Sequence, residues 1–226
     1  MTLDRRARPL DAFPAIRSQD AGVAELAVRE IYGARRLNLP RGHNSLNVRA
    51  NHWQSGTLGV SYCDYGGPAQ VEFPAAGFFR QQFVMRGGTD IWVDKRRREV
   101  TAQNMSVVPP FTPLVIDFPV DFDQMVLRIT VDPLMHKLAA LIGAMPSRAL
   151  EFAAATPVGD AALRLQRLLR FFVDELDTSR AKMPAQVLSE MEQALMDVHS
   201  RWQLKARVRV EVARHRGVIR SGAWKE

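Results

Sequence analysis

The sequence predicts an α+β protein, a barrel or sandwich of short antiparallel strands followed by an antiparallel helical hairpin. Three observations lead there. From about Ser45 to Val131 apolar and polar residues alternate over short runs, and Gly or Pro pairs punctuate them. No helical pattern intervenes between the runs, which excludes a parallel sheet. Beyond Val131 the apolar period lengthens to that of helices and keeps it to Trp202.

Residues 1–44 read as a lead-in containing one short helix, Gly22 to Tyr32, with Val23, Leu26, Ala27 and Ile31 at helical spacing. Residues 45–132 read as the barrel. There Leu46, Val48, Ala50 and His52 alternate with Asn47, Arg49 and Asn51, and Leu58, Val60 and Tyr62 with Gly59, Ser61 and Cys63. Phe79, Gln81, Phe83 and Met85 alternate with Arg80, Gln82 and Val84, while Ile91 and Val93 flank Trp92. Gly66-Gly67-Pro68, Gly87-Gly88, Pro109-Pro110 and Pro113 supply the turns.

Residues 133–203 read as a helical dimerisation region. Pro133 to Ile142 forms a helix stopped by Gly143, and Thr156-Pro157 offers an N-cap and first turn for a stronger one. That helix carries Leu165, Leu168, Leu169, Phe172 and Leu176 on one face, opposite Arg164, Arg167, Arg170 and Asp174. A further helix begins near Pro184 with Leu188, Met191, Leu195, Val198 and Trp202, after the polar link Asp177 to Lys182. Two such stripes form an apolar hairpin, so a homodimer is expected, with Leu168, Phe172, Leu188, Met191, Leu195 and Val198 at its interface. The alternative is that both stripes pack on the barrel of their own chain.

The formal charge of the 226 residues is +7, and its distribution matters more than its size. Residues 201–226 hold eight basic and two acidic side chains, a net +6, which leaves residues 1–200 at +1. A nearly neutral body argues against a phosphate-binding face there. Residues 204–226 read as a basic, disordered tail. Cys63 is the sole cysteine, so neither an internal disulfide nor a thiolate metal cluster can form, in keeping with a reducing cytoplasm. The first ten residues carry Asp4, Arg5, Arg6 and Arg8 without an apolar core, and no apolar run reaches membrane-spanning length. A cytoplasmic protein without membrane contact is expected.

The pattern offers little chemistry. His43, His52, His136, His199 and His215 include no two within four residues, so no preorganised metal site is expected and no cofactor is implied. Ser106 sits in no nucleophile elbow, and Cys63 falls in a strand as a core residue. Gly66-Gly67 and Gly87-Gly88 precede no helix and read as turns, not phosphate loops. Lys95-Arg96-Arg97-Arg98 reads as a solvated hairpin tip. A barrel that holds a small aromatic ligand needs inward aromatics and a few convergent polar groups. Tyr62, Phe79, Phe83 and Trp92 are the candidate wall residues, with Arg80 or His52 placed to meet a carboxylate. Filling of the barrel by these same aromatics is the competing reading.

The order of elements resembles the N-terminal effector-binding domain of AraC/XylS-type transcription regulators. The resemblance runs over Gly56-Thr57-Leu58-Gly59-Val60 to Tyr65-Gly66, Phe83-Val84-Met85-Arg86-Gly87-Gly88, and Val107-Val108-Pro109-Pro110. It continues in Met125-Val126-Leu127-Arg128-Ile129 and Leu138-Ala139-Ala140-Leu141-Ile142-Gly143. It implies a cupin-like barrel with a small-molecule effector pocket and a dimer made by the hairpin. Family members continue into two helix-turn-helix units, and residues 201–226 lack that pattern, so the DNA-reading domain is expected to be absent or truncated. Two further readings stay open: a cupin-type enzyme, such as an isomerase or dioxygenase, and a free-standing module that pairs with full-length relatives.

The charge distribution yields a prediction. Binding of duplex DNA by the full chain should be weak, indifferent to sequence and steeply reduced by salt, because eight cations on residues 201–226 supply only counterion release. Electrophoretic shifts at two salt concentrations, on two unrelated duplexes, check it. Salt-resistant, sequence-selective binding would contradict it.

Overall fold

Alternation of period two is satisfied here by one antiparallel sheet that curls on itself. The protein was analysed as a computed structural model, which describes residues 8–42, 46–142, 155–157, 159–179 and 183–201. Its elements are β1 (Pro14–Ser18), α1 (Ala21–Tyr32), β2 (Arg36–Asn38), β3 (Val48–Gln54), β4 (Leu58–Asp64) and β5 (Ala69–Phe73). Then come β6 (Phe78–Arg86), β7 (Gly88–Val93), β8 (Arg96–Thr101), β9 (Asn104–Val108), β10 (Leu114–Phe118) and β11 (Asp123–Thr130). The chain closes with α2 (Val131–Ile142), β12 (Ala155–Pro157), α3 (Asp160–Ser179) and a helix α4 over 185–201. Strands follow the order β1-β3-β4-β11-β6-β9-β8-β7-β10-β5-β2, and β12 pairs with β9. This is the cupin-like α+β architecture expected from the sequence, with its helices at the C-terminal end.

Several local features differ from the pattern-based expectation. β1 and β2 fall inside the lead-in and close the two ends of the sheet order, too short for alternation to declare them. Helix α1 exists, capped by the Asp20 carboxylate on the Val23 N–H at 2.8 Å, but it buries Ala24, Val28 and Tyr32 and exposes Val23 and Leu26. Its mixture of small and large residues hid the buried stripe. Thr156-Pro157 opens no helix; it ends β12, with Ala155 opposite Ser106, and α3 begins after Gly159. Gly66 adopts φ +60, and a Cβ there would lie 2.8 Å from the Asn47 carbonyl oxygen, so the β4–β5 turn requires glycine. The Lys95-Arg98 run does start at a hairpin tip, the β7–β8 turn, where Asp94 and Lys95 take positive φ. Gly143, Trp202, His43 and the tail 204–226 lie outside the described residues.

Two apolar cores result. One fills the curl, with Val48, Cys63, Tyr65, Val71, Ile91, Ile116 and Phe118 among its members. The other lies between the outer face of β4, β6 and β11 and the C-terminal helices, joining Val60, Phe79, Phe83 and Leu127 to Leu165, Phe172, Leu195 and Met196. Trp53 of β3 meets Phe172 edge-on at 5.2 Å, Leu10 inserts into the same core, and the Asp177 carboxylate accepts the Leu10 and Ala12 N–H groups at 2.8 and 2.9 Å. The helical stripes thus pack on their own sheet. Phe172 and Leu195 have no exposed surface and are unavailable to a second copy, whereas Leu168, Leu188, Met191 and Val198 are part-buried against the same core. No helix among the described residues is long and apolar enough to cross a membrane.

Leu195→Asp should therefore unfold the protomer instead of separating a dimer, and Phe172→Ala should cost about 3–5 kcal/mol in urea denaturation. A second expectation concerns acid. Burial pushes the His199 imidazole of α4 down from 6.5 to about 4, so it stays neutral in the fold. The unfolded chain takes up the proton first, so this stabilisation is complete above pH 6.5 and disappears as pH falls towards 4. A loss of roughly 3 kcal/mol across that window is expected, and His199→Gln should flatten the urea midpoint against pH. An unchanged slope in the variant would exclude His199 as the cause.

Candidate ligand site

Register fixes which side chains share the inside of the curl. Across β4, β11 and β6, Arg128 stands opposite Gly59 and Arg80; Val126 stands opposite Ser61 and Gln82; Gln124 stands opposite Cys63 and Val84. Opposed residues in an antiparallel ladder point to the same face, and residues two apart along a strand rejoin it about 7 Å on. The inner floor is therefore a grid with two cations in its first row, Val126 between Ser61 and Gln82 in its second, and Gln124 between Cys63 and Val84 in its third. Ser61, Cys63, Arg80, Gln124, Val126 and Arg128 line one cavity together with Tyr32, Tyr65, Phe73, Ile116 and Phe118 from the facing wall. Contributions from both β11 and β10–β5, far apart in the strand order, show how completely the sheet curls.

The arginine pair dominates the electrostatics. Arg80 is 6% exposed, and its guanidinium carbon lies 4.3 Å from the centre of the Phe73 ring and 5.2 Å from that of Phe78. Arg128 stacks on Phe78 at 5.2 Å and on Tyr32 at 5.3 Å, and its buried Nε has no hydrogen-bond partner. Among the described residues no carboxylate pairs with either. Burial, then the repulsion of Arg128, brings the Arg80 pKa down to about 9; burial lowers that of Arg128 also. Like charges directly opposite across a ladder destabilise it. Cation–π contacts return about 2 kcal/mol each when desolvated, less than the cost of a buried cation without an anion.

The neighbouring groups are quiet. His52, opposite Ser61, shares a hydrogen bond of 3.0 Å between Nδ1 and Ser61 Oγ, and Nε2 meets Gln54 Oε1 at 3.2 Å. Burial and then Arg128 lower the His52 pKa, which keeps the ring neutral, and burial pushes the Cys63 thiol up to about 12. Tyr32 is buried against the His52 ring at 5.5 Å, with its hydroxyl 3.4 Å from the Asn51 carbonyl. The cavity measures about 20 Å³, room for about one water, so a ligand must displace side chains to enter. Phe73 and Phe78, part-buried and stacked on the guanidiniums, are the ones at hand.

Of the candidate wall residues, the structure brings Arg80 into this cavity and sets His52 one strand outside it, linked through Ser61. Tyr62, Phe79 and Phe83 lie on the opposite face of β4 and β6, in the core shared with the helices. Trp92 is part-buried between Ile91 and Val93, which belong to the inner core, so alternation turns it outward. Both faces of these strands are buried, and an aromatic on either looks alike in sequence. Arg128, Gln124 and Tyr32 were missed, although an arginine within Met125-Val126-Leu127-Arg128-Ile129 was a usable signal. Among the described residues no group of His, Cys, Asp and Glu could hold a metal ion.

A larger depression of about 1700 Å³ opens between the sheet's outer face and α3, beside Tyr62. Some of its charges compensate one another: Arg86 meets Asp123 at 3.1 Å and Asp64 at 3.8 Å, and Arg8 meets Asp64 at 3.8 Å. Arg49, Arg170 and Asp174 line it as well, and the small cavity differs in facing two arginines directly across one ladder with no acid paired to either among the described residues.

Comparison with known proteins agrees with this architecture. Residues 24–198 match the AraC-binding-like domain. The chain belongs to that family. Among solved structures, the AraC-like transcriptional activator CuxR superposes with a TM-score of 0.51 and 11% identity, over 73% of this chain and 59% of that one. The chain thus spans 59% of the length of that activator's chain. The cupin domain of Cnp3 from Schizosaccharomyces pombe gives a TM-score of 0.34 at 10% identity, over 50% of this chain and 77% of that one. A predicted oxalate decarboxylase from Thermotoga maritima gives 0.31 at 10%, over 37% and 81%. No curated protein sequence matches. An AraC-binding-like domain with a cupin-like sheet is thereby established.

A site arginine differs from a structural one in what its removal does. Arg80→Met in the ligand-free domain should leave stability unchanged or raise it by about 1–3 kcal/mol, since it removes an uncompensated buried cation. Urea denaturation checks this, and a clear loss of stability would show that Arg80 holds the fold together.

Proposed function

We propose that this AraC-binding-like domain is the effector-sensing module of an AraC-type regulator, and that its effector is a small carboxylate held by Arg80 and Arg128 without metal. The carrying observation is the opposed arginine pair, Arg80 buried and Arg128 part-buried, with no acid paired to either among the described residues. Flat apolar walls from Phe73, Tyr65 and Phe118 favour an aromatic body on that carboxylate. Ligand entry expands a closed cavity, and the energy of that expansion is what couples binding to a second arrangement of sheet and helices. A homodimer fits the same role, with Leu188 and Met191 of α4 as the part-exposed contacts; Leu188→Asp should then shift sedimentation towards monomer. Sequence-specific DNA reading is not part of this proposal.

The enzyme reading has one observation in its favour, the chain Ser61–His52–Gln54, which has the order nucleophile, base, orienting group. Chemistry at Ser61 would need free amides nearby to stabilise an oxyanion. Ser61 stands in β4, which is paired on both edges by β3 and β11, so its ladder amides are occupied. Binding without turnover is the better account.

Calorimetric titration of the purified chain with benzoate, phenylacetate and benzyl alcohol tests it. The acids should bind and the alcohol should not, and Arg80→Gln or Arg128→Gln should weaken the acids about thirtyfold or more. Affinity should hold from pH 6 to 8 and fall above about 9, where Arg80 loses its proton. Equal binding of acid and alcohol would overturn the assignment.

A further inference from the structure

The two rings that cover the arginines are joined by one short loop. β5 ends at Phe73 and β6 begins at Phe78, so residues 74–77 tether Phe73, stacked on Arg80, to Phe78, stacked on Arg80 and Arg128. The loop between β9 and β10, residues 109–113, spans the same end of the curl. It leaves Val108, which stands opposite Arg80, and enters Leu114, which stands opposite Phe73. The two loops touch through Phe111. Its N–H donates to the Ala76 carbonyl at 2.8 Å, and its ring edge lies on Gly77, where an added Cβ would come within 3.7 Å of Cε1. Phe111 holds this position under strain: its φ is +58, a left-handed conformation unfavourable for a bulky residue. Its ring is 71% exposed, so burial contributes little to keeping it there. Pro110 fixes φ just before it, and the Pro113 carbonyl accepts the Asp94 N–H at 3.2 Å, so the flanking backbone is not free to relax it. Strain of this kind persists only where the surroundings impose it, and here the contacts run to the loop that carries Phe73 and Phe78.

We infer that Phe111 is the clasp of a gate over this cavity, the gate being Phe73 and Phe78 with the loop between them. Closed, the Phe111 ring edge and amide hold residues 74–77 and keep both phenylalanines over the arginines. When the clasp lets go, the backbone strain at Phe111 relaxes and the two rings move off together. A cavity of about 20 Å³ then opens to a molecule larger than water. The clasp sets how often the cavity opens, and so the rates of entry and exit, more than the affinity of what lies inside. The inference takes from the proposed function only that this cavity is the effector site; access is governed in the same way whichever ligand enters.

The chain carries its own reporter. Cys63 is its sole cysteine, is buried and lines the cavity, so the rate at which iodoacetamide alkylates it in the full chain counts openings without any effector. Phe111→Ala removes the ring but leaves a Cβ at positive φ, and should speed labelling about tenfold. Phe111→Gly removes the ring and the strain together, and should speed it less. Gly77→Ala places a methyl in van der Waals contact with the Phe111 ring and should slow labelling below wild type. Melting temperatures of the Phe111 variants should stay near that of wild type, which separates gate opening from unfolding. Labelling of Phe111→Ala at the wild-type rate would overturn the inference, as would a rise that only follows a fall in melting temperature. Phe111→Gly labelling as fast as Phe111→Ala would overturn it too, because the strain would then play no part. Benzoate titration keeps the two readings apart. If the variants label as expected and benzoate does not bind, the clasp stands and the carboxylate reading falls; if benzoate binds and labelling is unmoved, the clasp alone falls.

Discussion

Three strands, β4, β11 and β6, are walled in on both faces, and much of the molecule follows from that. All seven residues of β4 are buried, and on β6 the run from Phe79 to Val84 is buried too. Strand side chains alternate strictly, so a wall with two buried faces must assign each residue to one core or the other. Arg80, Gln82, Gln124 and Arg128 go inward; Phe79, Phe83 and Leu127 go to the helices. A register slip of one residue would put two arginines into the helical core and Phe79 into the cavity. The bulge near Asp123, where Asp123 faces Arg86 and Gln124 faces Val84, keeps this register while turning the strand end.

This wall tolerates an arrangement that a single-faced sheet would not. Two cations sit opposite each other, Arg80 buried and Arg128 part-buried, and aromatic rings stack on both. Removing one such group from water costs several kcal/mol, which the aromatic contacts only partly offset. The rest of the fold must supply the difference, through the inner core around Ile91 and Ile116 and the outer core around Phe172 and Leu195. A local arrangement that lowers stability and yet sits at the centre of well-packed strands is the ground on which the proposed site rests, more than any cavity volume.

Much of the architecture was legible in the sequence because it depends on periods. The change from alternation to helical spacing near Val131 falls where β11 passes into α2. β1, β2 and β12 were not legible, being three to five residues long and defined by their pairing. The site was legible in part. Arg80 could be singled out because an arginine amid Phe79 and Phe83 is out of place in a buried strand, but the aromatics beside it face the other way. Period two says that neighbours face opposite sides; it does not say which side holds a ligand. Arg128 carried the same signal as Arg80 and became meaningful only when the ladder put the two opposite each other. The helical stripes posed the same ambiguity: their apolar spacing announces a buried face without naming what covers it, and in this chain the sheet does so.

The double burial also bears on how a bound anion could be felt beyond the cavity. The cavity holds about 20 Å³, and close-packed interiors do not absorb a ligand's volume without something moving. Two parts of the enclosure differ in stiffness. The floor is a ladder paired on both edges, whereas Phe73 and Phe78 are part-buried at strand ends. Volume is therefore accommodated first by the phenylalanines, which on moving release the guanidiniums they cover. Charge acts on the floor instead: neutralising Arg80 and Arg128 removes a repulsion between β6 and β11 themselves. The opposite face of those two strands carries Phe79, Phe83 and Leu127 against α3 and α4. A change in the spacing of β6 and β11 thus reaches the helices directly, with no intervening layer. Under the proposed carboxylate reading, the charge of the ligand, more than its bulk, is what these strands would carry to the helices.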